Sequence, residues 1–82
     1  MDEKQIGTVD HFFSNISVGM IKLTDALKVG DRIRIKGNTS DFTQVLSSMQ
    51  IDRVSAQEAK GGDLISIKVE RRVRKDDAMC KV

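Results

Sequence analysis

The stretch that decides the fold spans residues 27–37 and reads Leu-Lys-Val-Gly-Asp-Arg-Ile-Arg-Ile-Lys-Gly. Gly30 and Asp31 form a tight-turn dipeptide, because glycine adopts positive φ without steric cost and aspartate can hydrogen-bond to nearby backbone. After the turn, isoleucines alternate with cations. Successive side chains of a strand point to opposite faces, so this strand has one apolar face for a core and one face that carries Arg32, Arg34 and Lys36.

The composition is that of one small globular domain. The chain has 82 residues, of which 39% are hydrophobic and 32% charged, and we expect a single domain over residues 1–82. The formal net charge is +2, with 14 basic and 12 acidic residues interleaved, so charge alone does not predict nucleic-acid binding. No apolar run is long enough to cross a bilayer, and the first residues lack a signal-peptide core. The single cysteine, Cys80, cannot form an intramolecular disulfide, so we expect a cytoplasmic protein.

Alternation and turn signals predict short strands and no long helix. In the first strand, Val9, His11 and Phe13 share one face, while Phe12 lies on the other. The fourth strand is predicted to be the longest, with Val45, Met49 and Ile51 on one face and Leu46 on the other. The six predicted strands cover residues 6–13, 18–24, 32–36, 42–53, 64–70 and 78–82.

The connections carry their own signals. Residues 37–41 have the composition and length of a hairpin loop, and Lys60-Gly61-Gly62-Asp63 is a turn. A capping-box pattern predicts one helical turn at residues 55–59. We find no internal repeat. Short strands at this spacing predict an all-β barrel or sandwich, and closure into a barrel removes the exposed edges that a small aliphatic domain must protect.

Four short sequence motifs, which we call landmarks, occur in an order that resembles a known family. The landmarks are Ile6-Gly7-Thr8-Val9, then Leu27 to Ile33, then Val45 with Ser48-Met49, then Ala59-Lys60-Gly61-Gly62-Asp63. This set resembles the second domain of translational GTPases such as elongation factor Tu and initiation factor two, and most closely the small free-standing translation elongation factor-like proteins. A similar barrel also occurs at the end of collagenase-like peptidases.

The resemblance implies a compact six-stranded β-barrel and a role in protein biosynthesis through contact with tRNA or the ribosome. It does not imply GTP binding, because the chain has no Gly-x-x-x-x-Gly-Lys-Ser/Thr loop to hold phosphates. Ser48 stands where elongation factor Tu carries an acidic residue in its aminoacyl pocket. We therefore do not transfer that pocket to this chain.

Catalysis is not expected. Asp10 and His11 are neighbours on a predicted strand, so they point to opposite faces and cannot form an acid–base pair. One histidine and one cysteine are poor material for a metal site. We interpret His11 as structural and Cys80 as a small buried hydrophobic residue, although any histidine can titrate near neutral pH. The sequence thus predicts no catalytic, metal or cofactor site and no membrane segment.

The cations form two groups that are candidates for binding RNA. Arginine forks match phosphate oxygens, and several such contacts give sequence-neutral binding. The same alternation of charge is also typical of a solvated surface that keeps a small barrel soluble. The candidate RNA-binding residues are Arg32, Arg34 and Lys36 on one strand face, and Lys68, Arg71, Arg72, Arg74 and Lys75 around a charged loop.

Two functions remain open from the sequence. The first is a non-catalytic translation-factor-like barrel that binds structured RNA, tRNA or ribosomal RNA, through this basic face. The alternative is a protein-interaction module that docks on an enzyme or on a translation-related assembly. Binding of RNA as a function of salt concentration would distinguish them.

Overall fold

The structure, a computed structural model, describes residues 4–38 and 40–82. Predictions that fall on Thr39, within the hairpin loop at 37–41, and on residues 1–3 lie outside the described residues. Every regular element within the described ranges is a β-strand. The strands are β1 (Lys4–Phe13), β2 (Val18–Leu23), β3 (Leu27–Lys28), β4 (Arg32–Lys36), β5 (Asp41–Val45), β6 (Met49–Ile51), β7 (Val54–Ala56), β8 (Glu58–Ala59), β9 (Leu64–Lys68) and β10 (Ala78–Lys81).

Eight of these strands form one antiparallel sheet in the order β5-β4-β10-β1-β2-β9-β6-β7, and β3 pairs with β8. The side chain of Gln44 on β5 hydrogen-bonds to the backbone at the end of β9, at Lys68 and Glu70, so strands far apart in the sheet order meet. The domain is therefore all-β with a curled antiparallel sheet. Closure into a six-stranded barrel is not confirmed, because in the described chain β5 and β7 end the sheet without pairing with each other.

The concave face of the sheet buries an aliphatic core. Ile33 and Ile35 of β4 are fully buried, and so are Ile65 and Ile67 of β9, as their alternation with polar residues predicts. The remaining core residues come from nearly every strand and connection: Ile6, Val9, Ile21, Leu23, Leu27, Leu46, Met49, Ala59, Val69, Val73 and Met79.

Two bulges change which side chains β1 buries. The pairing of β1 shifts between Gln5 and Gly7 against β10, and between Val9 and His11 against β2. Each extra residue reverses the alternation, so Val9 is buried and Phe12 packs on the core while His11 and Phe13 are exposed. The predicted grouping of Val9 with His11 and Phe13 is therefore wrong, because it assumes an unbroken strand.

The predicted fourth strand, residues 42–53, is in fact two strands that pair with different neighbours. β5 pairs with β4, and β6 pairs with β9 and β7. Between them the backbone of Leu46 bonds to the turn at Gly30 and Asp31, which brings Leu46 into the core and leaves Val45 exposed. Tertiary hydrogen bonds thus override the local alternation.

The predicted helical turn at residues 55–59 is also wrong. Ile51 pairs with Val54 around a two-residue loop in which Asp52 and Arg53 both have positive φ, at 53° and 66°. Such a loop matches the twist of a hairpin. It carries the chain into β7, after which Glu58 pairs with Lys28 to form β8, so this segment makes strand pairs and no helix.

A repeated turn organises the connections. The sequence predicted turns at two of its three places, but neither the shared geometry nor the third copy. The repeated turn occurs at residues 28–31, 60–63 and 74–77, called here the first, second and third capped turns. In each, the N–H of the final aspartate donates to the C=O of the opening Lys or Arg at 3.1 Å. The aspartate carboxylate in turn accepts from the N–H of that Lys or Arg at 2.9–3.0 Å. The third residue has positive φ in every case: Gly30, Gly62 and Asp76.

Each capped turn docks on the backbone of one buried aliphatic residue. The N–H of the third turn residue donates to the C=O of the aliphatic residue. The N–H of the aliphatic residue donates in return to the C=O of the turn's final aspartate, and all these bonds measure 2.8–2.9 Å. The aliphatic residues are Leu46 for the first turn, Leu23 for the second and Val9 for the third. The turns therefore satisfy backbone groups at the margins of the sheet, where ladder pairing ends.

Candidate functional site

The predicted basic face on β4 is partly neutralised. Arg32 and Lys36 point away from the core and are exposed. Arg34 forms a two-pronged ion pair with Asp41 of β5, with Nε to Oδ1 at 2.7 Å and Nη2 to Oδ2 at 2.8 Å. The hydrogen bond from Arg34 holds the pKa of the Asp41 carboxyl below its ordinary value. Arg34, the central cation of this face, is thus paired with the Asp41 carboxylate on the neighbouring strand.

The second predicted group lies in the segment between β9 and β10. Lys68, Arg71, Arg72, Arg74 and Lys75 are all exposed, while Val73 between them is buried in the core and anchors the segment. The structure does not merge this group with the β4 face, since β5 and the Asp41 carboxylate lie beside Arg71 and Arg72. Asp76 and Glu70 are exposed nearby and dilute the positive charge.

His11 and Cys80 carry no visible chemistry. The His11 side chain is exposed and its ring contacts Phe13, with ring centroids 4.4 Å apart. Cys80 is buried, as expected. It does not lie in the core, however, because it sits in register with Arg34 and Gln5 on the other face of the sheet. Within residues 4–38 and 40–82, no three His, Cys, Asp or Glu side chains group as metal ligands.

A different surface is the strongest candidate for a binding site. The outward faces of β2, β9 and β6 form a shallow groove of about 680 Å³. Met20, Ser66 and Gln50 are cross-strand neighbours along its floor. We call this surface the apolar groove and define it by its apolar lining residues Phe13, Ile16, Val18, Met20, Ile51 and Leu64.

The apolar groove exposes large hydrophobic side chains. Phe13, Ile16 and Leu64 have 38%, 56% and 41% of their surface exposed. On β2 and β9 the inward positions are already buried, so these strands carry apolar residues on both faces. Clustered exposed apolar residues of this kind mark the groove as a candidate contact surface.

Backbone strain is concentrated at the rims of the apolar groove. Ser17, at the β1–β2 hairpin tip, has φ of 54°, and Asp52 and Arg53 form the positive-φ tip of the β6–β7 hairpin. Residues other than glycine lose about 1 kcal/mol or more in this conformation. These residues form two hairpin tips that adjoin the groove, and at the β6–β7 tip positive φ matches the twist of the flanking strands.

Sequence reasoning missed the apolar groove because its residues resemble core. Val18, Met20 and Leu64 adjoin buried strand positions, and nothing in the alternation separates an outward apolar residue from an inward one. The available signal was the run of apolar residues on both faces of residues 18–23, in contrast to the cation-bearing outer face of β4.

One curated protein is related in sequence. This chain is 38% identical over 74 residues to a protein of Methanocaldococcus jannaschii that is named an uncharacterized protease. The match covers 89% of this chain but only 18% of that protein, so the chain spans under a fifth of its relative's length. No protein-family model matches the chain.

Solved structures share the fold. The crystal structure of the C-terminal domain of a candidate U32 peptidase from Geobacillus thermoleovorans superposes with a TM-score of 0.91 and 18% identity. The superposition covers 96% of this chain and 92% of that domain. A selenomethionine variant of the same domain gives a TM-score of 0.88. This likeness shows the fold, a small all-β domain of the kind that ends that protein.

The comparisons correct the predicted identity. The sequence relative is named a protease and the structural neighbours are a U32 peptidase C-terminal domain. The interpretation as a translation elongation factor-like protein that binds tRNA or ribosomal RNA in protein biosynthesis is therefore wrong. Residues 4–38 and 40–82 contain no helix long and apolar enough to cross a bilayer.

Proposed function

We propose that this chain is a non-catalytic accessory domain of a U32-type peptidase, and that it packs on the catalytic body through the apolar groove. The observation that carries the proposal is the sequence match: 38% identity over 74 residues to a segment that makes up 18% of a protein named a protease. More than four-fifths of that relative lies outside the match and is available to hold its catalytic machinery. The buried free thiol of Cys80 agrees with action in the reducing cytoplasm.

The apolar groove supports docking on a protein body. Its exposed Phe13, Ile16 and Leu64 would bury apolar area on contact, which favours association by about 25 cal/mol per Å² before the costs of binding. Ser66 and Gln50 on its floor offer polar groups that fix orientation. An interface with an apolar centre and polar positions is typical of packed domains.

A chimera tests the proposal. The matched segment of the M. jannaschii protease would be replaced by residues 1–82 of this chain, and thermal unfolding followed by calorimetry. We expect one cooperative transition, because a packed accessory domain unfolds with its body. Ile16→Asp combined with Leu64→Asp should split the transition in two, since a carboxylate in the interface loses its hydration. Val82→Asp, at an exposed apolar residue outside the groove, serves as control and should leave one transition.

The non-catalytic role is tested in the same material. We expect equal casein hydrolysis by the chimera and by the intact relative, and none by this chain alone. Two independent transitions in the parent chimera would contradict docking. Hydrolysis of casein by the isolated chain would contradict an accessory role.

A further inference from the structure

The end strand β5 presents an open backbone edge. The N–H of Gly37 donates to the C=O of Ser40, and the N–H of Leu46 donates to the C=O of Asp31, which fixes the phase of pairing between β4 and β5. Hydrogen-bonded positions alternate along an antiparallel pair. The backbone N–H and C=O groups of Thr43 and Val45 therefore point away from β4, and none of the described backbone hydrogen bonds outside the strand ladders uses them.

Side chains, and not a strand ladder, cross from β5 to the opposite wall. The buried Gln44 amide donates to the C=O of Lys68 and accepts from the N–H of Glu70, both at 3.0 Å. Ser40 Oγ lies 3.3 Å from the C=O of Arg72, to which it donates. We call this line of contacts the seam. At the seam, Gln44 satisfies backbone groups that a neighbouring strand would otherwise pair.

A basic hollow lies along the seam. It has a volume of about 410 Å³ and is lined by Ser40, Asp41, Phe42, Arg71 and Arg72. The Asp41 carboxylate is engaged by Arg34, whereas Arg71 and Arg72 are exposed. Phe42 supplies an apolar floor that is partly buried on the core. The hollow therefore combines positive charge with an apolar surface next to unpaired backbone.

We propose that the β5 edge binds an extended acidic segment of a partner protein by strand addition. The backbone of the segment pairs with Thr43 and Val45, and its carboxylates face Arg71 and Arg72. Its far edge takes over the C=O of Lys68 and the N–H of Glu70 from the Gln44 amide. Main-chain pairing of this kind gives affinity, and the charge opposite gives specificity. The proposal does not depend on docking through the apolar groove.

The other end of the sheet provides the matched control. β7 is also an end strand, and because its hairpin closes at Ile51 and Val54, the outward backbone groups belong to Ser55. The described residues that adjoin the β6–β7 tip form the apolar groove and not a basic hollow. An acidic strand should therefore prefer β5 over β7.

The test uses the full chain and a short synthetic peptide of alternating glutamate and valine. Binding would be followed by calorimetric titration and by shifts of backbone amide resonances, which we expect at residues 41–45 and 68–72. Val45→Pro removes only an outward N–H, which an edge strand tolerates, and should weaken binding about tenfold. Ser55→Pro, the same change at the β7 edge, should leave affinity unchanged.

Two further tests change the peptide and leave the protein unchanged, so they remain decisive even if a protein variant fails to fold. Peptides N-methylated at all glutamates or at all valines each lose one hydrogen-bonding edge. Because the segment pairs along both edges, each should bind the parent protein more weakly than the unmethylated peptide does. A lysine–valine peptide should also bind more weakly. Undiminished binding of either methylated peptide overturns strand addition, and binding of the lysine peptide as tight as that of the glutamate peptide overturns the acidic preference. Shifts confined to the apolar groove, or no saturable binding, overturn the site.

Discussion

The first and third capped turns have the same hydrogen bonds and different sequences. The first, Lys28–Asp31, has Gly30 at its positive-φ position and a partly exposed aspartate that also pairs with Lys81. The third, Arg74–Asp77, has Asp76 at φ of 74° and a carboxylate on Asp77 that is buried. The comparison teaches that this turn is defined by the final aspartate and its hydrogen bonds to the N–H and C=O of the opening Lys or Arg. Glycine at the third position only lowers the conformational cost of positive φ.

The two turns also differ in how deeply the capping aspartate is buried. In the first turn the hydrogen bond from the Lys28 N–H lies at the surface, although only 10% of the Asp31 side chain is exposed. In the third turn the Asp77 carboxylate packs against Gly37, and its hydrogen bond from the Arg74 N–H is partly buried. Substitutions should therefore be more costly around the third turn, except at the one position where it departs from glycine.

The largest effect is expected at Gly37→Ala. A Cβ there would overlap Asp77 Oδ1 and lie 2.6 Å from its Cγ, and the carboxylate is held by the Arg74 N–H. We expect the free energy of unfolding to fall by about 3 kcal/mol, as for a strongly overpacked site. Urea unfolding measures the change. Adding Asp77→Ala should cost much less than the two single changes together, and simple additivity would show that the two residues do not interact.

The next effect compares the two caps directly. Asp77→Ala leaves the Arg74 N–H without its acceptor in a buried setting, so we expect a loss of about 2 kcal/mol. Asp31→Ala removes the same bond to the Lys28 N–H where water can replace it, and should cost about 1 kcal/mol. Equal losses from urea unfolding of the two variants would remove the distinction between the turns.

A smaller effect is expected at the positive-φ residue of the first turn. Gly30→Ala meets no atom within 4 Å, so its cost comes from the backbone alone, at φ of 100°. We expect about 1 kcal/mol of destabilisation in thermal unfolding. A neutral result would mean that the turn relaxes when glycine is lost.

The smallest effect has the opposite sign. Asp76→Gly gives the third turn the glycine that the first already has, and we expect stabilisation of about 0.5 kcal/mol because a left-handed conformation is relieved. The control is Asp10→Gly, at an exposed aspartate that lies in β1 and does not have positive φ. This change should lower the free energy of unfolding. Loss of stability in Asp76→Gly would show that its side chain supports the turn.

Much of the fold could be predicted from local pattern. The alternation in β4 and β9 and the Gly-Asp dipeptides at residues 30–31 and 62–63 are strong signals. The third capped turn could not be predicted, because Asp76-Asp77 lacks the glycine that marks a turn in sequence. The bulges of β1 and the split of the predicted fourth strand arise from tertiary hydrogen bonds, which local periodicity does not encode.

The mistaken resemblance has a physical explanation. Two of its landmarks, Leu27 to Ile33 and Ala59 to Asp63, contain the first and second capped turns. Gly7 in a third landmark is required because a Cβ would approach Ile21 Cγ2 to 2.9 Å. These residues encode turns and close packing, which unrelated proteins with a similar fold can share. The landmark residues therefore indicate the fold and carry no information on what the surface of the protein binds.

The capped turns close chain segments of different lengths, which predicts an order of events during folding. The first turn bonds to Leu46, close to it in sequence, whereas the third joins Asp76 and Asp77 to Val9 near the other end of the chain. The loss of chain entropy on closing a loop grows with its length, so the first turn should form in the transition state and the third after it. We therefore expect the junction between the two ends of the chain to be the last part of the domain to form.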